Sequence, residues 1–279
     1  MKIAVLSGKG GTGKTLVSVN LAYSAGISNY IDCDVEEPNG FLYFNPEKGN
    51  TKEIKVKIPS VDQEKCIGCR KCVNFCNFNA LAYTGKKLLV FEDICHSCGG
   101  CMLVCPAGAI AEKYKSIGKI EIGNSGNISV FTGILNIGEA SGVPLIKELM
   151  KESDKKNNYI NIVDCPPGSA CIVMESIKDA DYCLLVAEPS VFGAHNLEMV
   201  YELVKLFNKP AGVILNKYSE GINPSEIFCN ENNINILGKI YYSEEIGKLN
   251  SEGNIIANEK EEFKKVFSSL LEKIVREVK

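Results

Sequence analysis

Short apolar segments alternate with segments of helical periodicity over most of the chain. The first apolar segment, KIAVL, leads into a glycine-rich loop, and KTLVSVNLAYSA after that loop has the apolar spacing of a helix. Later apolar segments read NYIDCD, ISVFTGIL, YINIVDC, YCLLVAE, AGVILNK and INILGKI, with helical patterns such as AHNLEMVYELVKLF and PSEIFCNENN between them. This alternation predicts an α/β fold with a mainly parallel sheet, helices on both faces and right-handed crossovers.

The alternation stops between about Pro59 and Tyr114, where pairs of cysteines replace the apolar segments. We therefore expect a small α+β domain at residues 59–115, inserted into an α/β domain that is formed by residues 1–58 and 116–279. A chain of 279 residues is long enough for this division.

The last segment, from Glu259 to Lys279, predicts an amphipathic helix. Its apolar face is formed by Phe263, Val266, Phe267, Leu270, Leu271, Ile274, Val275 and Val278. The polar face mixes six basic with five acidic residues, whereas a helix that binds a lipid surface should be clearly basic. We therefore expect this helix to pack onto the sheet.

Composition narrows the possible partners and compartments. The net charge of −3 and the pI near 5.7 leave no basic excess to neutralise phosphates, which disfavours a nucleic-acid partner. No apolar run approaches the roughly 18 residues that a membrane span needs, and the apolar start is too short for a signal peptide. We expect a cytoplasmic protein without stable membrane insertion.

The glycine-rich loop matches the phosphate-binding pattern G-x-x-x-x-G-K-[ST]. Its residues are Gly8, Lys9, Gly10, Gly11, Thr12, Gly13, Lys14 and Thr15. Glycines let backbone N–H groups surround phosphate oxygens, and the N-terminus of the following helix adds partial positive charge. In this pattern Lys14 reaches the β- and γ-phosphates and the Thr15 hydroxyl binds Mg²⁺, so we expect ATP or ADP here.

Eight of the thirteen cysteines lie between Cys66 and Cys105. They form two C-x₂-C-x₂-C-x₃-C runs, a spacing that matches bacterial ferredoxins with two 4Fe–4S clusters better than structural zinc sites, which use four ligands. In that pattern the fourth cysteine of each run ligates the other cluster. The first predicted set is Cys66, Cys69, Cys72 and Cys105, and the second is Cys95, Cys98, Cys101 and Cys76.

Two details qualify the cysteine pattern. Asn77 stands where the first run usually has proline, which leaves ligation intact but affects the local backbone. The five other cysteines are isolated, and isolated cysteines are usually buried as small apolar residues. They are Cys33, Cys165, Cys171, Cys183 and Cys229.

The stretch KGGTGKT resembles the deviant Walker A motif K-G-G-x-G-K-[ST] of the P-loop ATPases in the MinD/Mrp/nitrogenase-iron-protein superfamily. In that superfamily the early lysine crosses a dimer interface and contacts the nucleotide of the other subunit. The resemblance implies that Lys9 acts in this way, that the chain forms a nucleotide-dependent homodimer, and that Lys9, Lys14 and Asp34 are catalytic.

Other positions of the superfamily can be matched singly. Asp32 and Asp34 in DCDVEEPN resemble the first switch, whose second aspartate orients the attacking water. Asp164 in IVDCPPG resembles the acid of the second switch, which holds Mg²⁺ through water, and Gly168 would sense the γ-phosphate. Asn216 resembles the adenine-recognising position, as does the adjacent Lys217. The alternative to a switch role for each aspartate is a purely structural one, as an acidic residue at the start of a loop.

Over its whole length the chain resembles MinD-superfamily ATPases that carry an inserted ferredoxin domain, and GEASG and AEPSVFGAHNL agree with this. His195 in the latter is expected to be a polar residue at a helix start. Cys165 and Cys171 flank the second switch, and a cluster ligated by one of them at a dimer interface is a minor alternative. Since the insert lies between the two switches, we expect its position or cluster exposure to follow nucleotide state. The alternative is an autonomous insert on a rigid stalk that nucleotide does not affect.

These features imply an ATP-hydrolysing iron–sulfur protein that couples nucleotide state to electron transfer, or to metallocluster transfer or assembly, with a partner metalloprotein or redox protein. Two alternatives stay open. One is a MinD-like spatial regulator with structural clusters, which the mixed charge of the tail disfavours. The other is a ferredoxin-type carrier with a non-catalytic nucleotide domain, which the presence of Lys14, Asp34 and Asp164 disfavours.

Overall fold

The computed structural model describes residues 1–156 and 160–278, so Tyr159, which begins the predicted strand YINIVDC, and Lys279 lie outside the described residues. The strands in this part of the chain are β1 (Lys2–Leu6), β2 (Ser28–Asp32), β3 (Glu47–Val61), β4 (Leu81–Thr84), β5 (Lys87–Val90), β6 (Ile110–Ser125), β7 (Ile128–Leu135), β8 (Ile160–Asp164), β9 (Tyr182–Ala187), β10 (Ala211–Tyr218) and β11 (Ile236–Tyr241).

The helices in the same part of the chain lie mostly between these strands. They are α1 (Lys14–Ser24), α2 (Gly40–Phe44), α3 (Lys71–Phe75), α4 (Gly100–Leu103), α5 (Val143–Asp154), α6 (Cys171–Ile177), α7 (Val191–Leu206), α8 (Pro224–Glu231), α9 (Glu244–Ser251), α10 (Ile256–Glu259) and α11 (Glu261–Val278). A short 3₁₀ turn, Glu92–Ile94, precedes the second cysteine run.

One sheet organises the molecule, with strand order β11-β10-β9-β1-β8-β2-β7-β6-β3. The strands from β11 to β7 are parallel, whereas β6 is antiparallel to both β7 and β3. The predicted α/β fold with a mainly parallel sheet is confirmed. In this register Asp164 pairs with Val5 on one side and with Asp32 on the other, so three strands end together at the carboxyl edge of the sheet.

Two apolar cores cover the two faces of the sheet. Alternate residues of β1 belong to different cores, with Ala4 and Leu6 in one and Ile3 and Val5 in the other, because successive side chains of a strand point to opposite faces. The second core contains the buried face of α11. Its buried residues are Phe267, Leu270, Leu271 and Ile274. The terminal helix therefore packs onto the sheet as predicted, and each such side chain contributes about 1.5–3 kcal/mol by burial.

Strands β3 and β6 form a long antiparallel stalk that carries the cysteine-rich insert. Their pairing runs from Glu47 opposite Asn124 to Val61 opposite Ile110. Both predicted domain boundaries, at residues 58 and 116, fall inside these strands. Because β3 is an edge strand, its exposed lysines, such as Lys57, hinder pairing with other chains.

The insert beyond the stalk contains α3, the β4–β5 hairpin, the 3₁₀ turn and α4. Its small core consists of Leu81, Leu88 and Ile110 together with cysteine side chains. None of the helices in the described part of the chain has the length and apolar character needed to cross a membrane.

Candidate nucleotide site and cysteine sites

The phosphate loop lies between β1 and α1, and its glycines are required by the backbone. Gly11 and Gly13 have φ angles of 79° and 92°, in the left-handed region that favours glycine. A Cβ atom at Gly13 would lie 2.1 Å from Asn216 Nδ2, and one at Gly8 would lie 2.2 Å from the carbonyl oxygen of Asn196. This close packing excludes larger side chains at Gly8 and Gly13.

Lys14 lies between the two predicted switch aspartates. Its Nζ is 2.7 Å from Asp164 Oδ1 and 3.8 Å from Asp34 Oδ2. The other carboxylate oxygen of Asp164 accepts a hydrogen bond from the Tyr30 hydroxyl at 2.7 Å. Burial opposes the charge of Lys14, but Asp164 and Asp34 outweigh it and raise the pKa of Lys14. The site therefore keeps a charged lysine at the phosphate-binding position.

The first switch is organised by Asp32. This buried carboxylate accepts backbone N–H groups from Asp34 at 3.2 Å, Asn39 at 3.1 Å and Gly40 at 2.8 Å. Burial and the nearby charge of Asp164 raise the pKa of Asp32 to about 7. Asp32 thus holds the backbone of the first switch in place through hydrogen bonds to its carboxylate oxygens.

Asp34 is more accessible than Asp32, since 22% of its side chain is exposed. Burial is the main cause that raises its pKa to about 6, with Asp164 and Glu37 adding to the effect and Lys14 opposing it. A carboxylate with this pKa is largely ionised at neutral pH, as a residue that orients water needs to be.

Gly168 closes the second switch over the loop. Its N–H donates to the carbonyl oxygen of Ser7 at 2.9 Å, and its φ of 91° again requires glycine-like freedom. The predicted γ-phosphate sensor therefore lies beside the phosphate loop.

The ends of β9 and β10 hold the phosphate loop from the other side. Asn216 Nδ2 donates to the Thr12 carbonyl at 2.7 Å, and Lys217 Nζ donates to the Gly11 carbonyl at 2.7 Å. Lys9 Nζ lies 2.5 Å from an oxygen of Glu188, a residue that the sequence did not single out. Asn216, for which adenine recognition was predicted, braces the loop in this structure.

A cleft of about 420 Å³ opens above the loop, a size within the range of small-molecule sites. Lys14, Thr15, Asp34 and Asn216 line it. It is also lined by residues that the sequence analysis missed: Tyr43, Tyr241, Tyr242, Ser243, Ile246, Gly247 and Asn250. They belong to α2, β11, α9 and the turn between β11 and α9, so no local motif marks them. The cleft therefore combines charged residues of the phosphate loop and first switch with three tyrosines.

The first cysteine set lines one small cavity in the insert. Cys66, Cys69, Cys72 and Cys105 share this cavity with apolar neighbours such as Leu88 and Ile110. Burial raises the pKa of the Cys72 thiol, and so do the adjacent thiols of Cys105 and Cys69. The fourth cysteine of the second run thus lies with the first run, as the ferredoxin pattern predicts.

In the second set, Cys95, Cys98 and Cys101 lie close together. Burial raises the pKa of Cys101 to about 11, and the nearby Cys95 and Cys98 add to the shift. Cys76 ends α3, which contacts α4. In the described part of the chain, no three His, Cys, Asp or Glu side chains are placed to share one metal ion. The four ligands of a 4Fe–4S cluster each bind a different iron atom, so thiols that do not converge on one point are compatible with a cluster.

A groove of about 630 Å³ separates the second cysteine run from the ATPase domain. Lys115 of the stalk crosses it, with Nζ 2.9 Å from Asp93 Oδ1 and 3.0 Å from Glu139 Oε2. The first switch also reaches the stalk, because the Leu135 N–H donates to the Val35 carbonyl at 2.8 Å and Leu135 pairs with β6. Lys115 therefore joins the insert to the ATPase domain, and the Val35 hydrogen bond joins the first switch to β7 beside the stalk.

The isolated cysteines divide into two groups. Cys33, Cys165, Cys183 and Cys229 are buried, as expected. Cys171 is exposed at the start of α6 and lines the groove, so the expectation of burial was wrong for this residue. His195 is exposed in the first turn of α7, 3.7 Å from Glu198, as a polar residue at a helix start.

Comparison with known proteins decides the family. The model of the CobQ/CobB/MinD/ParA nucleotide binding domain matches residues 3–256. The chain belongs to this family. This nucleotide-binding protein is 35% identical over 235 residues to the uncharacterized protein MJ0579 of Methanocaldococcus jannaschii, covering 82% of this chain and 84% of that protein.

The two parts of this MinD-family chain have separate relatives. The cell division ATPase MinD of Pyrococcus furiosus has a similar fold, with a TM-score of 0.62 and 21% identity over 99% of this chain and 98% of that one. A ferredoxin of Methanothermococcus thermolithotrophicus is 40% identical over 57 residues, which are 19% of this chain and 95% of the ferredoxin. The predicted P-loop ATPase domain with a ferredoxin-like insert is confirmed.

Proposed function

We propose that this protein is an ATPase that couples its nucleotide state to iron–sulfur chemistry in the insert, for electron or cluster delivery to a partner metalloprotein. The observation that carries the proposal is the hydrogen-bonded connection from the first switch to the base of the stalk. Val35 follows Asp34 directly in the first switch, and its carbonyl accepts from Leu135, whose strand pairs with the stalk of the insert. A shift of this switch therefore changes a hydrogen bond at the base of the insert.

The residues of the cleft suit hydrolysis of ATP. Lys14 and the loop amides would bind the phosphates, while Thr15 and Asp164 would hold Mg²⁺. Asp34 would orient the attacking water, since phosphoryl transfer to water depends mainly on positioning and charge. Asn216 and the tyrosines of the cleft would bind the nucleoside.

Lys9 would complete the site of a second subunit when ATP is bound, which makes hydrolysis depend on a homodimer. The support for this role is the position of Lys9 at the rim of the loop, where 28% of its side chain is exposed. The other catalytic lysine, Lys14, has only 7% of its side chain exposed and is held within its own subunit.

The two cysteine sets would each hold a 4Fe–4S cluster, which supplies one-electron transfer when bound. The insert provides eight thiols, of which Cys72 and Cys101 are buried, and Cys95 and Cys98 line the groove that faces the ATPase domain. Placement of the second set beside this groove favours coupling over a purely structural role for the clusters.

The test is ATP turnover by the cluster-loaded protein in its oxidised and reduced forms. Coupling predicts different turnover or ATP affinity in the two forms, by about 5- to 150-fold for a typical coupling free energy. Equal turnover and equal affinity would favour structural clusters, and absence of turnover in both would favour a carrier with a non-catalytic nucleotide domain. A co-purifying metalloprotein would identify the partner.

A further inference from the structure

Glu188 follows β9 at the carboxyl edge of the sheet, where its neighbours fix it. Ser190 Oγ donates to Glu188 Oε1 at 3.0 Å and itself accepts from the Gly193 N–H at 2.9 Å. Ser225 Oγ donates to the Glu188 carbonyl at 2.7 Å, and a Cβ at Gly193 would lie 2.5 Å from the same carbonyl oxygen. The carboxylate is therefore held by a turn that is built around it.

The Glu188 carboxylate binds the cations on both sides of the phosphate loop. Its Oε1 lies 2.5 Å from Lys9 Nζ, and its Oε2 lies 3.8 Å from Lys217 Nζ. The Lys9 ammonium also lies 5.2 Å from the centre of the Phe192 ring, which adds a cation–π contact. Burial opposes ionisation of Glu188, but hydrogen bonds from Lys9 and Ser190 keep its pKa below the usual range.

We infer that Glu188 is a positioning residue that retains Lys9 within its own subunit. Lys9 Nζ cannot stay at 2.5 Å from Glu188 and also reach across an interface, so pairing of two subunits has to break this ion pair. Glu188 thereby sets a threshold for ATP-dependent pairing and limits it when no nucleotide is bound. The inference rests on the proposed role of Lys9 in the second subunit.

The size of the effect follows from the exposure of the pair, since 28% of Lys9 and 14% of Glu188 is accessible. Ion pairs of partly exposed side chains change an equilibrium constant by about 1.4- to 5-fold. A symmetric dimer breaks the pair twice, so the dimerisation constant should change by the square of this factor, about 2- to 25-fold.

The experiment compares the wild type with Glu188→Gln, which keeps the shape and the acceptor for Ser190 but removes the charge. Glu202→Gln is the matched control, because it removes a carboxylate that lies 3.0 Å from Lys205 on the surface of α7. Two quantities are measured: the acylation rate of Lys9 in nucleotide-free protein by peptide mass spectrometry, and the dimerisation constant with Mg²⁺ and a non-hydrolysable ATP analogue by sedimentation.

In Glu188→Gln we expect the reagent to acylate Lys9 faster and the dimerisation constant to become about 2- to 25-fold tighter. In Glu202→Gln we expect the acylation rate and the dimerisation constant to equal those of the wild type. Glu188→Asp, whose shorter side chain keeps the charge, should fall between them and serves if the glutamine variant misfolds. An unchanged acylation rate, or faster acylation with unchanged or weaker pairing, overturns the inference alone. A wild type that never pairs with ATP overturns the proposed dimer and this inference together.

Discussion

Replacing Lys115 with Met should weaken communication between the nucleotide site and the insert. The ammonium of Lys115 lies 2.9 Å from Asp93 in the 3₁₀ turn before Cys95 and 3.0 Å from Glu139 in the loop between β7 and α5. That loop starts immediately after Leu135, the residue that donates to Val35 of the first switch. Lys115 thus joins the loop after β7, a strand that is hydrogen-bonded to the first switch, to the segment that carries the second cysteine run.

The magnitude follows from how exposed each partner is. Asp93 is 82% exposed, so its pair with Lys115 contributes at most about 1 kcal/mol. Glu139 is 11% exposed, so loss of its partner leaves a poorly solvated carboxylate at a cost of about 1–3 kcal/mol. If about 1 kcal/mol of this interaction differs between the nucleotide states, it corresponds to about 40 mV in the potential of a one-electron couple.

The assay is a redox titration of the cluster-loaded protein with ADP and with a non-hydrolysable ATP analogue. The wild type should show a nucleotide-dependent difference in potential, and Lys115→Met should lose about 40 mV of it. Lys113→Met is the control, because Lys113 lies on the same face of β6 but is more exposed and, within the described part of the chain, pairs only with Glu92 of the insert, at 2.5 Å. The reasoning fails if Lys115→Met keeps the full difference, or if Lys113→Met loses as much.

Three further predictions concern the two sites. Anaerobically purified protein should contain about eight iron and eight sulfide per chain, and Cys66→Ser and Cys95→Ser should each damage a different cluster. Stoichiometric zinc without sulfide would contradict this prediction. The Lys9→Ala variant should bind ATP almost normally but lose dimerisation and hydrolysis, whereas Lys14→Ala should lose ATP binding. Identical ATP binding by calorimetry and identical dimerisation by sedimentation in the two variants would exclude a separate role for Lys9. The rate of ATP hydrolysis should decline as the pH falls through about 6, because Asp34 becomes protonated there, and Asp34→Asn should be inactive at every pH. A rate that stays constant down to pH 5 would exclude Asp34 as the titrating group.

The phosphate loop and the cysteine runs were predictable because their chemistry is encoded in neighbouring residues. The spacing of glycine, lysine and cysteine over a few positions determines whether a segment can surround a phosphate or a cluster. This local requirement does not depend on the rest of the fold. The partners of these residues were not predictable in this way. Tyr30 reaches Asp164 across 134 positions of sequence, and Glu188 meets Lys9 only because β9 and β1 are adjacent in the sheet.

The stalk shows a signal that was present but weak. Ile54, Val56 and Ile58 alternate with lysines in β3, which is the period-two pattern of a strand with one buried face. The change of texture at the cysteines suggested a boundary near residue 58, yet both stalk strands continue past the predicted boundaries. The amino-acid composition changes where the cysteines begin, whereas the β3–β6 pairing continues for as long as apolar and polar residues alternate along the strands.

The continuous stalk also changes how coupling has to work. An insert on a flexible linker could swing as a whole, whereas the β3–β6 ladder extends from Glu47 to Val61 with register shifts between Lys48 and Asn50 and between Ile54 and Lys55. Away from these irregularities the ladder resists bending at any single residue, since several backbone hydrogen bonds would have to open together. The second shift leaves Ile117 without a partner in β3 beside the predicted domain boundary, and its carbonyl accepts from the Asn136 N–H at 2.9 Å, in the loop that follows Leu135. We expect nucleotide state to act through this bulge and loop on the groove that Lys115 crosses, where Cys95 and Cys98 face the ATPase domain.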